Sequence, residues 1–403
     1  MFSLLKNKKI LAWTFYDFAD TALAALFFTF FWPLLIKEHL GGNEFQIGLV
    51  MGLSLLFVAL FVPLIGAISD ATGRRMPILI ISTLLTAIFA VLTGYMGLVG
   101  ALILGFLVRF LFTVDIDLYD AKLVDIVARS KIGFVSGLGV AIGYLGTIVG
   151  LAVAYPLLEY FGWDTLLGIQ VIFIEGALFL LIFSLPLFLL VKDKPLKEKI
   201  PFLSAFRKGL KALKFTITNL KQFPAFGRFL LASFIYNDAV NTTLIFLVLY
   251  ATSVIGLQIK EFFFVFVLMA LGAGVGALIF GYLSGSFSPK RALIIALGMW
   301  IFVIVYLLLI KTFASILIAG IIGGAALGGI WTANRHMVVL ISPYRKIAEF
   351  FGIEGLTERL SGVLGPIIFG AIVVTIGYQV ALFFILFLFI AGLALLLRVP
   401  LKT

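Results

Sequence analysis

Long apolar stretches, broken by short polar ones, set the rhythm of this chain. Runs long enough to cross a bilayer, about 17–25 residues each, begin near residues 11, 46, 77, 98, 133, 166, 229, 261, 292, 314, 348 and 379. These twelve spans divide six and six around a polar, lysine-rich segment from Lys192 to Arg228. In hydrocarbon every backbone polar group must be bonded internally, so each run predicts a helix. The expected fold is an all-α membrane protein: a six-helix bundle over 1–191, a linker over 192–227 and a second six-helix bundle over 228–403. In the linker, Leu203, Phe206, Leu210, Leu213, Ile217 and Leu220 recur three and four apart, with Arg207, Lys208, Lys211, Lys214 and Lys221 between them. That spacing predicts a basic amphipathic helix on the inner leaflet.

The two halves repeat one another. FYDFADTAL (15–23) aligns with YNDAVNTTL (236–244), pairing Asp17 with Asp238, Asp20 with Asn241 and Thr21 with Thr242. GAISD (66–70) aligns with GYLSG (281–285), and Gly133, Gly143 and Gly146 of the fifth span align with Gly352, Gly362 and Gly365 of the eleventh. Two related six-helix bundles on either side of a linker is the layout of a secondary transporter, whose site lies near the bilayer midplane between repeats.

Composition agrees. The chain is 63% hydrophobic and 12% charged, with a mean hydropathy of +1.22, whereas a soluble domain is roughly 45–50% apolar and 25% charged. With no cysteine, disulfides and thiolate sites are excluded. The net charge of +11 is a topology signal. Lys6, Lys8, Lys9, Arg74, Arg75, Lys122, Arg129, Lys131, Lys290, Arg291, Arg345, Lys346, Arg398 and Lys402 fall on one side, with ten further basic residues in the linker segment. Only Lys37, Lys260 and Lys311 fall on the other. The positive-inside rule puts both termini in the cytoplasm, and nucleic-acid binding needs no further weight. The first span follows KNKK as a signal peptide would, but its length and two Asp predict a retained helix.

GAISDATGRR (66–75), between the second and third spans, resembles the G-x-x-x-D-x-x-G-R-R signature of the major facilitator superfamily. That resemblance implies twelve helices, alternating access and a cytoplasmic gating latch at Gly66, Asp70, Gly73, Arg74 and Arg75. The second-half copy, GYLSGSFSPKR (281–291), has Gly285 in place of the Asp. WTFYDFADTA, GFVSGLGVAIGYLGTIVGL (133–151), YNDAVNT (236–242) and EFFGIEGLTERLSGVLGPIIFG (349–370) together resemble the vacuolar amino-acid effluxer-like branch, known from autophagy-related fungal members and also containing bacterial proteins. The branch implies export of small solutes. Its members commonly carry Asn where Asp20 stands here.

Charge inside the spans marks the candidate site. A carboxylate at bilayer depth costs at least ~2.5–3.5 kcal/mol on insertion scales, so such groups face a cavity or each other. The first span holds Asp17 and Asp20, the fourth Arg109, Asp115 and Asp117, the sixth Glu175, the seventh Asp238, the tenth Arg335, and the eleventh Glu358 and Arg359. Spans 1, 4, 7 and 10 line the cavity in the superfamily, and most of these charges lie on them. Asp17, Asp20 and Thr21, at i, i+3 and i+4, share a helix face. Two carboxylates that close compete for ionisation, so the pair is a candidate proton site. It is equally a candidate for a substrate ammonium, with Arg109 or Arg359 taking a carboxylate. Trp331 borders the same region, near Asn334 and Arg335. For Asp115, Asp117 and Arg335 a structural ion-pair network is the competing explanation.

Other signals exclude alternatives. The G-x-G of GLGVAIGYLG (137–146) has no preceding strand, so it is no dinucleotide site. Gly139/Gly143, Gly146/Gly150, Gly272/Gly276, Gly281/Gly285 and the ladder Gly320, Gly324, Gly328 are small-residue packing faces. With no phosphate-binding G-x-x-x-x-G-K-[ST] motif, there is no internal ATPase. No cofactor or metal site is expected, and no nucleophile–base constellation points to an enzyme. Trp13, Trp32 and Trp163 fall near span ends as interfacial anchors do. The expected protein is a monomeric, proton-coupled secondary transporter of a small polar solute, an amino acid or related metabolite moved outward. Its membrane is the plasma (inner) membrane if the source is bacterial. Its substrate-and-proton pathway runs over Asp17, Asp20, Thr21, Arg109, Asp238, Asn241, Trp331, Glu358 and Arg359. An uncoupled facilitator, a lipid flippase and a non-transporting receptor are the alternatives.

Overall fold

The computed structural model describes residues 7–72, 74–127, 132–193, 222–342 and 347–400. Among them run twelve helices long and apolar enough to cross a membrane. In chain order they are α1 Lys8–His39, α2 Glu44–Thr72, α3 Arg75–Thr93, α4 Leu98–Ile126, α5 Ile132–Phe161 and α6 Leu166–Leu190, then α7 Pro224–Ile255, α8 Ile259–Ser286, α9 Pro289–Leu309, α10 Phe313–Ile341, α11 Ile347–Thr375 and α12 Tyr378–Leu397. Each begins within five residues of the start its apolar run predicts. The linker helix expected over 203–220 lies outside the described residues.

Local chemistry sets the helix ends. Asn7 caps α1 by accepting from the Lys9 amide, and Thr165 caps α6 by accepting from Gly168. Gln258 with Glu261 opens α8, and Thr312 with Ser315 opens α10, each as a reciprocal capping box. Four glycines with positive φ join helices: Gly41 between α1 and α2, Gly162 between α5 and α6, Gly256 between α7 and α8, and Gly377 between α11 and α12. Gly41 and Gly256 are 215 residues apart, and so are Gly162 and Gly377. The internal repeat is therefore written into the turns as well as the spans.

The chain divides into two compact units, Met1–Gly42 with Leu53–Ala212, and Asn43–Gly52 with Leu213–Thr403. In unit 1, α1 packs on α5 and α6, and α3 packs on α4 and α6. In unit 2, α7 packs on α11 and α12, α8 on α10, and α9 on α10 and α12. The opening turns of α2 belong to unit 2, where Glu44 accepts a hydrogen bond from the Tyr378 hydroxyl at 2.6 Å. The first helix of each half widens to i→i+5 bonding, over Ala24–Phe31 and Leu35–His39 in α1 and over Ala251–Ile255 in α7. In α1 the two wide stretches flank Pro33, which cannot donate to the ladder.

Two expectations change here. Trp13 and Trp32 are not interfacial anchors but fully buried, their indoles donating to the carbonyls of Tyr119 and Ala101. Trp163, half-buried in the turn between α5 and α6, donates to Glu159. The small-residue faces also differ in use. A Cβ on Gly146 would sit 1.9 Å from the Phe18 carbonyl oxygen of α1. On α10, a Cβ on Gly324 would meet Met269 O at 2.1 Å and one on Gly328 would meet Ala273 O at 2.0 Å. Gly285, by contrast, has nothing within 4 Å of the same point.

Helix association in lipid draws on close packing rather than on expulsion of water. Gly328→Val should therefore force α10 off α8, at a cost of at least ~1–3 kcal/mol. The expected result is a lower unfolding temperature and a loss of the monodisperse peak in size-exclusion chromatography. Gly274→Ala, where nothing lies within 4 Å, should leave both unchanged. A Gly328→Val protein as stable as the parent would contradict this packing.

Candidate functional site

The face of α1 carrying the first candidate residues is pressed against α5. A Cβ on Gly139 would lie 2.7 Å from Asp17 Oδ2, and one on Gly143 would lie 2.6 Å from Thr21 Oγ1. Glycine leaves room there for the two polar side chains, which a larger residue would displace. The Thr147 hydroxyl adds a hydrogen bond to Thr21 O at 3.4 Å. Asp20 is turned away from this seat. It is buried, its Oδ1 has no hydrogen-bond partner, and it lies within electrostatic reach of Asp17, Arg109, Asp115 and Asp120. The expected shared face thus splits: Asp17 and Thr21 meet α5, whereas the charges around Asp20 come mainly from α4.

Arg109 lies over the Phe28 ring, its guanidinium carbon 4.9 Å from the centroid, with its Nε buried and without a hydrogen-bond partner. A cation on an aromatic face near a carboxylate is held by electrostatics and retains donors for a ligand. Below this level Trp13 stacks on Tyr119 at 4.4 Å, and Tyr16 stacks on the other side at 4.9 Å. The Tyr16 hydroxyl reaches Thr83 Oγ1 on α3 at 3.0 Å. Glu175 of α6 does not join this group; it is buried, and neither of its oxygens is hydrogen-bonded.

Unit 2 repeats the helix-on-glycine seat. Asp238 Oδ1 accepts the Gly365 amide of α11 at 2.9 Å. A Cβ on Gly365 would meet Thr242 Oγ1 at 2.3 Å and Asp238 Oδ1 at 2.6 Å. Asp17 with Thr21 on α5, and Asp238 with Thr242 on α11, both abut glycine, although Gly365 aligns with Gly146 rather than with Gly139 or Gly143. Asn241 is half-buried on α7, and Trp331 is half-buried on α10. Glu358 is exposed beside Glu354 on α11, with Arg335 of α10 within electrostatic reach of both. Arg359, half-buried, follows on the same helix. Sequence reasoning missed Tyr236, whose hydroxyl donates to Asn334 Oδ1 at 2.6 Å between α7 and α10, and also missed Glu354. The signal for Glu354 was present, since Glu354 and Glu358 are one turn apart in a span.

The latch residues fall only partly within view. Gly66 and Asp70 belong to the backbone of α2, but their side chains, and all of Gly73, lie outside the described residues. Arg74 is exposed at the start of α3. Arg75 donates to Ala121 O at 3.4 Å and pairs with Asp125 at 3.8 Å. Asp193, just past α6, accepts from the Met76 amide and pairs with the buried Lys122. The ends of α3, α4 and α6 are thereby tied together inside unit 1. Among the described residues no three His, Asp or Glu side chains cluster in a way that would hold a metal ion.

Comparison with known proteins bears on this arrangement. Residues 121–403 match the family model described as vacuole effluxer Atg22 like. An uncharacterized major-facilitator-type transporter of Bacillus subtilis, YxiO, is 24% identical over 97% of this chain and 95% of its own length. Autophagy-related protein 22 of Yarrowia lipolytica is 24% identical over 70% of this chain and 53% of its own length. Among solved structures, the nucleoside transporter NupG superposes with a TM-score of 0.77 at 15% identity, covering 97% of this chain and 99% of that one. That likeness carries the fold, and the relatives are transporters rather than enzymes. With twelve apolar helices among the described residues and a family match over well beyond half its length, this chain belongs to the Atg22-like effluxer family of major facilitator transporters, integral multi-pass membrane proteins.

Proposed function

We propose that this chain exports a small polar solute, an amino acid or a related metabolite, by alternating access of its two repeats, and that protons drive it. The observation that carries the reading is the paired seat, Asp17–Thr21 on α5 and Asp238–Thr242 on α11. A carboxylate at bilayer depth is expensive, and here the neighbouring helix is cut to glycine to keep one at matching places in each half. Asp20 and Arg109 add opposite charges within reach of one another, which suits a zwitterion carrying both an ammonium and a carboxylate. The family description supports movement of solute out of a compartment, and taking that compartment to be the cell gives the outward direction. In this reading, residues 1–191 and 228–403 form the moving bundles, Gly66, Asp70, Gly73, Arg74 and Arg75 form the latch, and both termini face the cytoplasm. The protein works as a monomer. A facilitator in which the same carboxylates serve substrate alone is the nearest rival.

The test uses proteoliposomes, radiolabelled amino acids as probes and an imposed pH gradient. Asp17→Asn and Asp238→Asn should each abolish gradient-driven accumulation while leaving solute exchange. Full pH-gradient dependence in both variants would overturn proton coupling through these residues. A second measurement addresses the seat itself. Gly365→Ala should displace Asp238 and reduce initial transport rates by at least tenfold, with folding retained by size-exclusion chromatography. Unchanged transport in Gly365→Ala would show that the position of Asp238 is immaterial.

A further inference from the structure

Outside the residues assigned to the pathway, α3 and α4 enclose a single buried carboxyl, Asp115, that lies 1% exposed. Ser82, Thr83 and Thr86 of α3, buried as well, supply its partners: Ser82 Oγ is in hydrogen-bonding contact with Oδ1, Thr86 Oγ1 lies 3.3 Å from Oδ2, and the Thr83 hydroxyl is also within its reach. No cation pairs with Asp115 among the described residues. The competing ion-pair explanation therefore does not account for Asp115 among the described residues.

Proton accounting at this cluster is restrictive. The Thr83 hydroxyl has a carbonyl acceptor, Leu79 O at 2.7 Å, and when it donates there Tyr16 donates to Thr83 across 3.0 Å. Ser82 has one proton and three acceptors in reach: Ile78 O at 2.8 Å, Leu79 O at 3.2 Å and Asp115 Oδ1. If Ser82 bonds its own helix, the proton between Oγ and Oδ1 has to come from Asp115. If Asp115 is ionised, Ser82 must turn to it, and a charge remains at bilayer depth with hydroxyls alone around it. The charged groups facing the cluster do not compensate it. From α1 come Tyr16 and Asp20, neither of them a cation, and α3 offers only hydroxyls. On α4, Asp117 and Tyr119 are near, Arg109 is about 9 Å away along the helix axis at 1.5 Å per residue, and Lys122 is engaged by Asp193 and Asp125. Among the described residues Asp115 belongs to no cluster of three His, Asp or Glu that could hold a metal ion. A proton fits.

We propose that Asp115, cradled by Ser82 and Thr86, is a proton-binding site in unit 1 separate from the Asp17 seat. On loading, Asp115 Oδ1 gains and keeps a proton and donates a hydrogen bond to Ser82 Oγ, while the Ser82 hydroxyl donates its hydrogen bond to Ile78 O. On release the proton leaves Oδ1 and the Ser82 hydroxyl swings back to the carboxylate. The inference rests on the transport reading only for its role, and it can fail independently, because its test reads the Asp115 carboxyl directly.

Infrared spectroscopy of the full chain in lipid vesicles near neutral pH, in water and in deuterated water, provides that test. A carboxylic-acid C=O band that shifts on deuteration should be lost in Asp115→Asn. In Ser82→Ala the band should remain but move in frequency, which keeps the proposal falsifiable if Asp115→Asn does not fold. Replacing choline chloride by sodium chloride should leave the band in place. No band lost in a folded Asp115→Asn, an unmoved band in Ser82→Ala, or collapse of the band in sodium would each overturn the proposal.

Discussion

The amide of Gly365 donating to Asp238, and the glycine notch at Gly139 and Gly143 beside Asp17 and Thr21, express the constraint on which the rest of this protein depends. A carboxylate within the membrane has to be met by groups the chain itself provides. Interhelical hydrogen bonds in membranes average ~0.6 kcal/mol and reach about 1.7, while a carboxylate costs at least ~2.5–3.5. One or two such bonds do not close that gap. A bound proton or an opposite charge does, which is why the proposed function gives these carboxylates exchangeable ligands. The close approach of α1 to α5 and of α7 to α11 sets where they sit.

Hydropathy was enough to read the twelve helices, because span length is dictated by bilayer thickness and leaves little for tertiary context to override. The half-repeat was also legible, and the matched positive-φ glycines Gly41/Gly256 and Gly162/Gly377 reinforce it. The direction in which side chains point within a bundle was less so. Asp17, Asp20 and Thr21 do share a helical face, but that face is wide enough for Asp17 to meet α5 while Asp20 lies among the charges of α4. Trp13 and Trp32 sit at span ends, as anchors would, yet their indoles are spent on carbonyls inside unit 1. Spacing alone cannot separate these outcomes, since both satisfy an aromatic ring with one polar atom.

The hydroxyl cradle of Asp115 was hidden for a related reason. Ser82, Thr83 and Thr86 look unremarked in an apolar helix, and a serine or threonine there usually bonds its own i−4 carbonyl. Their meaning appears only once α3 is laid on α4 at the level of Asp115. Tyr16 then bridges the cluster toward α1, so that Asp20, Tyr16, Thr83, Ser82 and Asp115 form one buried polar seam through unit 1. In unit 2 the corresponding polarity is arranged differently, with Tyr236 on Asn334 and the Glu354–Glu358–Arg335 group. The two halves share a seat for one aspartate and differ in the polar groups around it.

The central claim is that solute movement and proton movement are one event. It is tested most directly with the unmodified protein in proteoliposomes enclosing a pH-sensitive dye, with an outward or inward gradient of an amino-acid mixture and no imposed pH difference. The account predicts proton flow that starts with the solute gradient, reverses when that gradient is reversed and is absent from protein-free vesicles. Solute crossing the membrane with no change in internal pH would contradict it.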